Sequence, residues 1–179
     1  MSIDPRKTGK MTKAGQMNMS VSSSAPVEGQ GVATPQIAAL CWRMHKGHVQ
    51  VLLITSRETG RWVIPKGWPM AGLAPSVAAA REAWEEAGVV GTILGLAMGE
   101  YLYDKITSPV ECKRCAVAVF PLQVKALKSR FPEAKQRKRR WFTASEAAGL
   151  VAEPELAQLL TTVDAQPGLL KGRKSTSSA

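Results

Sequence analysis

The stretch Arg81-Glu82-Ala83-Trp84-Glu85-Glu86-Ala87-Gly88-Val89 constrains this chain most. It reads as one helix that stops at a glycine, the residue that most readily takes the left-handed conformation found at helix ends. At about 100° per residue, Glu82, Glu85 and Glu86 fall within an arc of about 100°, while Val77, Ala80, Trp84 and Ala87 gather on the opposite side. The expectation is a helix with one packed face and one carboxylate face. Carboxylates at i,i+3 and i,i+4 repel by about 0.2–0.5 kcal/mol per pair, so the cluster does nothing for the helix itself. A cation would neutralise it, and hard oxygen donors suit Mg²⁺ or Mn²⁺, with Mg²⁺ typically shared between carboxylates and substrate phosphates. A plain solvated face is the competing reading of Glu-x-x-Glu-Glu taken alone.

The segments around this helix read as alternating strands and loops. Gln36 to Arg43 and Val49 to Thr55 are apolar strands joined by His45-Lys46-Gly47-His48, which makes a hairpin. Ser56 to Arg61 is a polar loop and Trp62-Val63-Ile64 a short buried strand. Pro65-Lys66-Gly67-Trp68-Pro69 breaks the chain, and Pro75-Ser76 suits a first helical turn. This loop brings backbone carbonyls and Lys66 beside the acidic face. Thr92 to Ile106 and Glu111 to Val124 read as further strands, and Lys125 to Lys135 as a polar connector. Thr143-Ala144-Ser145-Glu146 is a capping box that opens a helix, and a last helix runs from Pro154 to about Val163. Strands, one central helix, more strands and C-terminal helices predict an α/β or α+β domain with a mixed sheet covered on both faces.

The expected organisation is a disordered tail over residues 1–33, a single domain over 34–164 and a loose basic tail over 165–179. The net charge is +10, but the two ends hold much of it: residues 34–164 carry seventeen basic against twelve acidic side chains, or +5. A modestly basic core suits a polyanionic small molecule. No apolar run approaches the ~20 residues a membrane span needs, and the start lacks the apolar segment of a secretory signal. The three cysteines, Cys41, Cys112 and Cys115, form an odd set that points to reduced thiols and a cytoplasmic location. Cys112-x-x-Cys115 and His45-x-x-His48 offer zinc ligands on paper. In a strand, however, positions three apart face opposite sides and do not share a metal readily.

Gly67, thirteen residues, and then Arg81-Glu82-Ala83-x-Glu85-Glu86-x-Gly88-Val89 closely resembles the Nudix box, Gly-x5-Glu-x7-Arg-Glu-U-x-Glu-Glu-x-Gly-U, where U is apolar. Eight of the nine specified positions match, and the departure is Leu73, where the family usually has Glu. Ser56-Arg57, Arg61-Trp62-Val63-Ile64-Pro65, Pro75-Ser76-Val77-Ala78-Ala79 and Arg137-Lys138-Arg139-Arg140-Trp141-Phe142 extend the resemblance over roughly residues 36–160. They look like the diphosphoinositol-polyphosphate and diadenosine-polyphosphate phosphohydrolase branch.

The resemblance implies the Nudix α/β/α sandwich, with a mixed sheet between helices, and hydrolysis of a phosphoanhydride with a divalent cation. It implies that Glu82, Glu85 and Glu86 hold the cation, that Glu86 or Glu82 activates water, that Arg81 orients a box glutamate, and that the Lys66 carbonyl completes the metal shell. Arg57, Arg61, Lys66 and Arg114 are the candidates for gripping the remaining phosphates, since arginine matches phosphate in a bidentate fork. Leu73 puts one carboxylate in question, for which Glu100 or Glu111 could compensate. The expected partner is a phosphorylated small molecule, with neither a membrane nor a nucleic acid. Two other readings remain open: a Nudix-fold module that binds a nucleotide or polyphosphate without turning it over, and a basic RNA-binding protein using its tails and Arg137 to Arg140.

Overall fold

The computed structural model describes residues 32–108 and 111–172. The tail expected over residues 1–33 lies almost wholly outside these, as do residues 173–179. β1 (Thr34–His45) and β2 (His48–Thr55) form the expected hairpin, with His45 opposite His48 at the turn. β3 (Trp62–Val63) pairs with β2, and β4 (Lys66–Gly67) with β1. Beyond α1 (Pro75–Ala87) come β5 (Val89–Ile93), β6 (Gly99–Ser108), β7 (Glu111–Leu127) and β8 (Arg139–Thr143). The helices α2 (Ala144–Leu150) and α3 (Pro154–Ala165) follow, with a 3-10 turn over Pro167–Lys171.

All the strands belong to one eight-stranded mixed sheet. β1 runs parallel to β7, from Thr34 beside Cys115 to Trp42 beside Gln123, and the other pairings are antiparallel. Ile37 to Trp42 of β1 are all buried, as befits a strand covered on both faces. Ala38, Leu40 and Trp42 join the layer filled by Leu156, Leu160 and Val163 of α3, whereas Ile37, Ala39 and Cys41 join Ala79, Ala83 and Ala87 of α1. The result is the α/β/α sandwich, with α1 on one face and α2 and α3 on the other.

Three features differ from the sequence reading. The strand expected over Thr92 to Ile106 is two strands, both paired with β7. Pro121 of β7 accepts a hydrogen bond from Leu94 N at 2.9 Å but has no N–H to return, so the chain leaves the ladder until Gly99. The packed face of α1 is turned by roughly 100° at about 100° per residue. Its buried residues are Ser76, Ala78, Ala79, Ala83, Glu86 and Ala87, and Val77 and Trp84 are left 48% and 37% exposed. Alanines let the helix lie close to the sheet, where valine and tryptophan do not fit. The turn brings Glu86 to the edge of the buried face. Finally, the ordered chain runs past residue 164: α3 reaches Ala165 and Leu170 of the 3-10 turn is 1% exposed, within the α2–α3 layer.

Leu170→Ala is expected to cost about 2–5 kcal/mol, the usual range for a buried leucine, measured by denaturant unfolding; no change would mean that the turn is ornamental. The capping box at α2 is complete, with Thr143 Oγ1 accepting from Glu146 N at 3.2 Å and Glu146 Oε2 accepting from Thr143 N at 2.8 Å. These Thr143 bonds hold the Glu146 carboxyl below its ordinary value of 4.5. A depressed acid stabilises the fold above its unfolded-state value and ceases to do so as pH falls through its folded value. The melting temperature of Glu146→Gln should therefore fall below wild type at pH 7, with the gap closing below pH 4.5; a gap independent of pH would contradict this assignment.

Candidate active site

A cleft of about 750 Å³ opens between the β2–β3 loop, the β4–α1 loop, β6 and the connector that precedes β8. The end of α1 is its best-defined wall. Gly88 ends the helix at φ 64°, with its N–H turned back to the carbonyls of Ala83 and Trp84. The connector is fastened there by Lys128 N donating to Gly88 O at 2.9 Å and Glu133 N donating to Glu85 O at 3.0 Å. Arg139 Nη1 donates to Ala87 O, a cation at the helix C-terminus.

The three helix carboxylates are buried to different degrees. Glu86, 8% exposed, lines the cleft, accepts from Lys66 N at 3.0 Å and forms an ion pair with Arg137. Burial pushes its carboxyl up to about 7, against the opposing pull of Arg137 and the Lys66 N–H. Glu82 is half-buried in the cleft, and its carboxyl is raised by burial and by the charges of Glu85 and Glu133. Gly67 meets it face on: a β carbon there would collide with the Glu82 carboxyl group, which is the physical reason for glycine at this position. Glu85 stands outside the cleft lining and accepts from Arg81 Nε at 2.8 Å on the helix surface.

The basic candidates separate. Arg57 lines the cleft and reaches Glu133 at 3.4 Å, and Arg61 lines it while paired to the buried Glu153 at 3.0 Å. Lys66 Nζ donates to Tyr103 Oη at 3.3 Å, and Tyr103 Oη donates to Gln36 Oε1 at 2.8 Å. Burial lowers the Lys66 ammonium, with Glu86 acting the other way. Arg114 does not belong with this group: it lies on β7 outside the cleft lining, facing Asp104 at 3.6 Å. It takes that place because it stands opposite Asp104 in the β6–β7 pairing.

Sequence reasoning missed Arg137 and Glu133. The Arg137 side chain, 7% exposed, bridges Glu86, Glu133 and the Thr55 carbonyl, the last at 3.0 Å. The run Arg137 to Arg140 is thus no continuous patch, since Arg137 enters the cleft, Arg139 caps α1 and Arg140 lies 5.1 Å over the Phe142 ring. The four-residue spacing of Glu133 and Arg137 was the available signal. Leu73 sits in the β4–α1 loop and Glu100 on β6, both outside the cleft lining, and the Glu111 side chain lies outside the described residues. The additional acid beside Glu82 and Glu86 is Glu133.

Among the described residues no three acidic, histidine or cysteine side chains form a ready-made metal cage, and this holds for the cysteine and histidine pairs too. Cys112 is exposed and Cys115 buried, on opposite sides as expected. The donor chemistry of Glu82, Glu86 and Glu133 nevertheless fits a hard divalent cation, because burial and the negative charge of Glu133 raise the proton affinity of both Glu82 and Glu86 in one cleft. Gly67→Ala is expected to displace Glu82 and to lower catalytic turnover more than tenfold with little change in melting temperature, because the collision is with a side-chain end. Equal activity in that variant would remove Glu82 from the site.

The sequence matches the NUDIX domain family over residues 34–163. It is 36% identical over 105 residues to Nudix hydrolase 12, mitochondrial, of Arabidopsis thaliana, covering 57% of this chain and 52% of that protein. It is 32% identical over 112 residues to diphosphoinositol polyphosphate phosphohydrolase 3-alpha of Mus musculus, covering 62% and 64%. The chain thus spans roughly half to just under two thirds of the length of these curated relatives. The fold is shared with a C. elegans Ap4A hydrolase at a TM-score of 0.54, 20% identity, 74% of this chain and 97% of that one. It is also shared with the E. coli dihydroneopterin triphosphate pyrophosphohydrolase at a TM-score of 0.57, 17% identity, 73% and 94%. With most of its length matched by the family, the chain belongs to the Nudix family.

Proposed function

We propose that this protein is a divalent-metal-dependent hydrolase that cuts a phosphoanhydride bond in a polyphosphorylated small molecule of the diadenosine polyphosphate or diphosphoinositol polyphosphate type. The observation that carries the reading is the Glu82–Glu86 carboxylate wall, set against Gly67 and the Lys66 N–H in a cleft that also holds Arg57, Arg61, Lys66 and Arg137. Carboxylates and cations in one cleft suit a substrate whose phosphates are partly charge-balanced by metal and partly gripped by protein.

Glu82 and Glu86, with Glu133 beside them and Glu85 within the same helix turn, are the residues that would hold Mg²⁺ or Mn²⁺, and the Lys66 carbonyl is the further ligand proposed. Such a cation supplies charge neutralisation at the phosphates and a more acidic water. Glu86 and Glu82 are positioned to accept the proton of an attacking water. Burial raises the proton affinity of both carboxyls, which suits groups that accept a proton. Arg57 and Arg61 are partly exposed and lie at the mouth, where phosphates can displace the carboxylates they now face. Lys66, anchored on Tyr103, offers a fixed ammonium deeper inside. Three free cysteines fit a reducing compartment such as the cytoplasm. Among the described residues no helix is long and apolar enough to cross a membrane.

One observation favours a second reading, that of a module which binds polyphosphates without cutting them: Arg137 already neutralises Glu86, so a cation must compete with an ion pair. Phosphate release tested with Mg²⁺ and with chelator, on diadenosine polyphosphates, diphosphoinositol polyphosphate, nucleoside triphosphates and ADP-ribose, separates the two. Turnover that chelator abolishes is expected. In Glu86→Gln the rate should fall by about 10²–10⁴-fold, the range for losing a general base, with the circular dichroism spectrum unchanged. Silence across the panel, accompanied by ligand-induced thermal stabilisation, would establish the binding module instead.

A further inference from the structure

A third region of the cleft is used neither by the carboxylate wall nor by Arg57, Arg61 and Lys66. Trp68 follows Gly67 directly, lines the cleft and is 39% exposed. The ammonium groups of Lys105 and Lys113 stand 5.2 and 5.3 Å from its ring centroid, within cation–π range. These lysines are directly opposite one another on β6 and β7, an arrangement in which like charges repel. Asp104 faces Arg114 at 3.6 Å, and among the described residues neither lysine has an ion-pair partner. Ile106, 72% exposed, and Met70 add apolar surface to the same cleft. The indole offsets only part of the repulsion between the opposed lysines, and it remains 39% exposed itself. An anion between the lysines relieves the first, and a flat ring laid on the indole covers the second.

The geometry points to Trp68, Lys105 and Lys113 as a subsite for an aromatic base that carries phosphate, so that the ligand of this cleft is a nucleotide rather than a phosphorylated ring without aromatic character. The inference builds on the hydrolase reading for which bond is cut, but the subsite binds whether or not cutting follows. The indole offers a π-face that any base can stack on. The two ammonium groups, on flexible stems, act as point charges for the phosphate next to the base. Because Trp68 adjoins Gly67, whose backbone touches Glu82, the base and the carboxylate wall share one loop, and the phosphates lie between them.

Calorimetric titration of ADP and of inorganic pyrophosphate into the full chain, in metal-free buffer, tests this. Wild type should bind ADP about tenfold or more tightly than pyrophosphate. Trp68→Leu should weaken ADP by about 5- to 100-fold, the range for losing one stacked base, and leave pyrophosphate within about twofold. Trp68→Phe should restore most of the ADP affinity, and the double change Lys105→Ala, Lys113→Ala should weaken both ligands. The subsite is overturned if wild type does not prefer ADP, if Trp68→Leu leaves ADP binding intact, or if phenylalanine serves no better than leucine. ADP binding in this pattern by a protein that releases no phosphate from any substrate would sink the hydrolase reading and leave the subsite standing. Turnover indifferent to Trp68, with ADP binding equally indifferent, would do the reverse.

Discussion

Burying the Glu86 carboxylate obliges three separated segments of the chain to meet. A buried ionised carboxylate is sustained only by partners, and Glu86 takes one from β4, the Lys66 N–H, and one from the strand entry at Arg137. Removing one member of such a pair leaves the other buried and uncompensated, at a cost of about 3–5 kcal/mol. Arg137 in turn holds Glu133 and the Thr55 carbonyl, so the same guanidinium ties the connector and the end of β2 to α1. This charged centre thus acts with the backbone bonds of Lys128 and Glu133 to the end of α1 in fixing the cleft walls to one another. Its positions are set by electrostatics more than by apolar packing.

That dependence explains which parts of the molecule were legible in the sequence. The β1–β2 hairpin, the capping box at Thr143 and the glycine stop at Gly88 rest on local rules, and each stands where the local pattern puts it. The rotation of α1 was not local. Helical periodicity identifies an apolar side, but the close approach of Ala79, Ala83 and Ala87 to the sheet decides which side is packed, and that depends on β1 and β7. Trp84 weighs most in a hydrophobic pattern and least in this interface.

The site was read in the same uneven way. Glu82, Glu85, Glu86 and Arg81 lie within one spacing motif with Lys66 directly before it, and the structure brings all but Glu85 and Arg81 to the cleft. Arg57 and Arg61 arrive because the β2–β3 loop closes over it. Arg114 was credited for its charge alone, and charge on a strand says nothing about which edge it faces until the register with Asp104 is known. Arg137 and Glu133 were hidden for the opposite reason, since a basic run and a polar connector resemble solvated surface until the end of α1 gives them something to bind.

Leu73 shows why a motif position and a site position are different things. The residue lies in the β4–α1 loop beyond the cleft lining, its N–H bonded to Met70 O at 3.1 Å. A carboxylate needed near Glu82 and Glu86 does not have to come from that loop, because field strength depends on distance and burial and not on chain order. Glu133 supplies a charge that both box glutamates feel, and it is held there by Glu85 O through its backbone and by Arg137 through its side chain. Since Glu85 itself faces outward to Arg81, its backbone contribution to placing Glu133 is its clearest connection to the cleft. The acidity of the site is therefore distributed over helix and connector, and the connector can shift only if the Arg137 pairings shift with it.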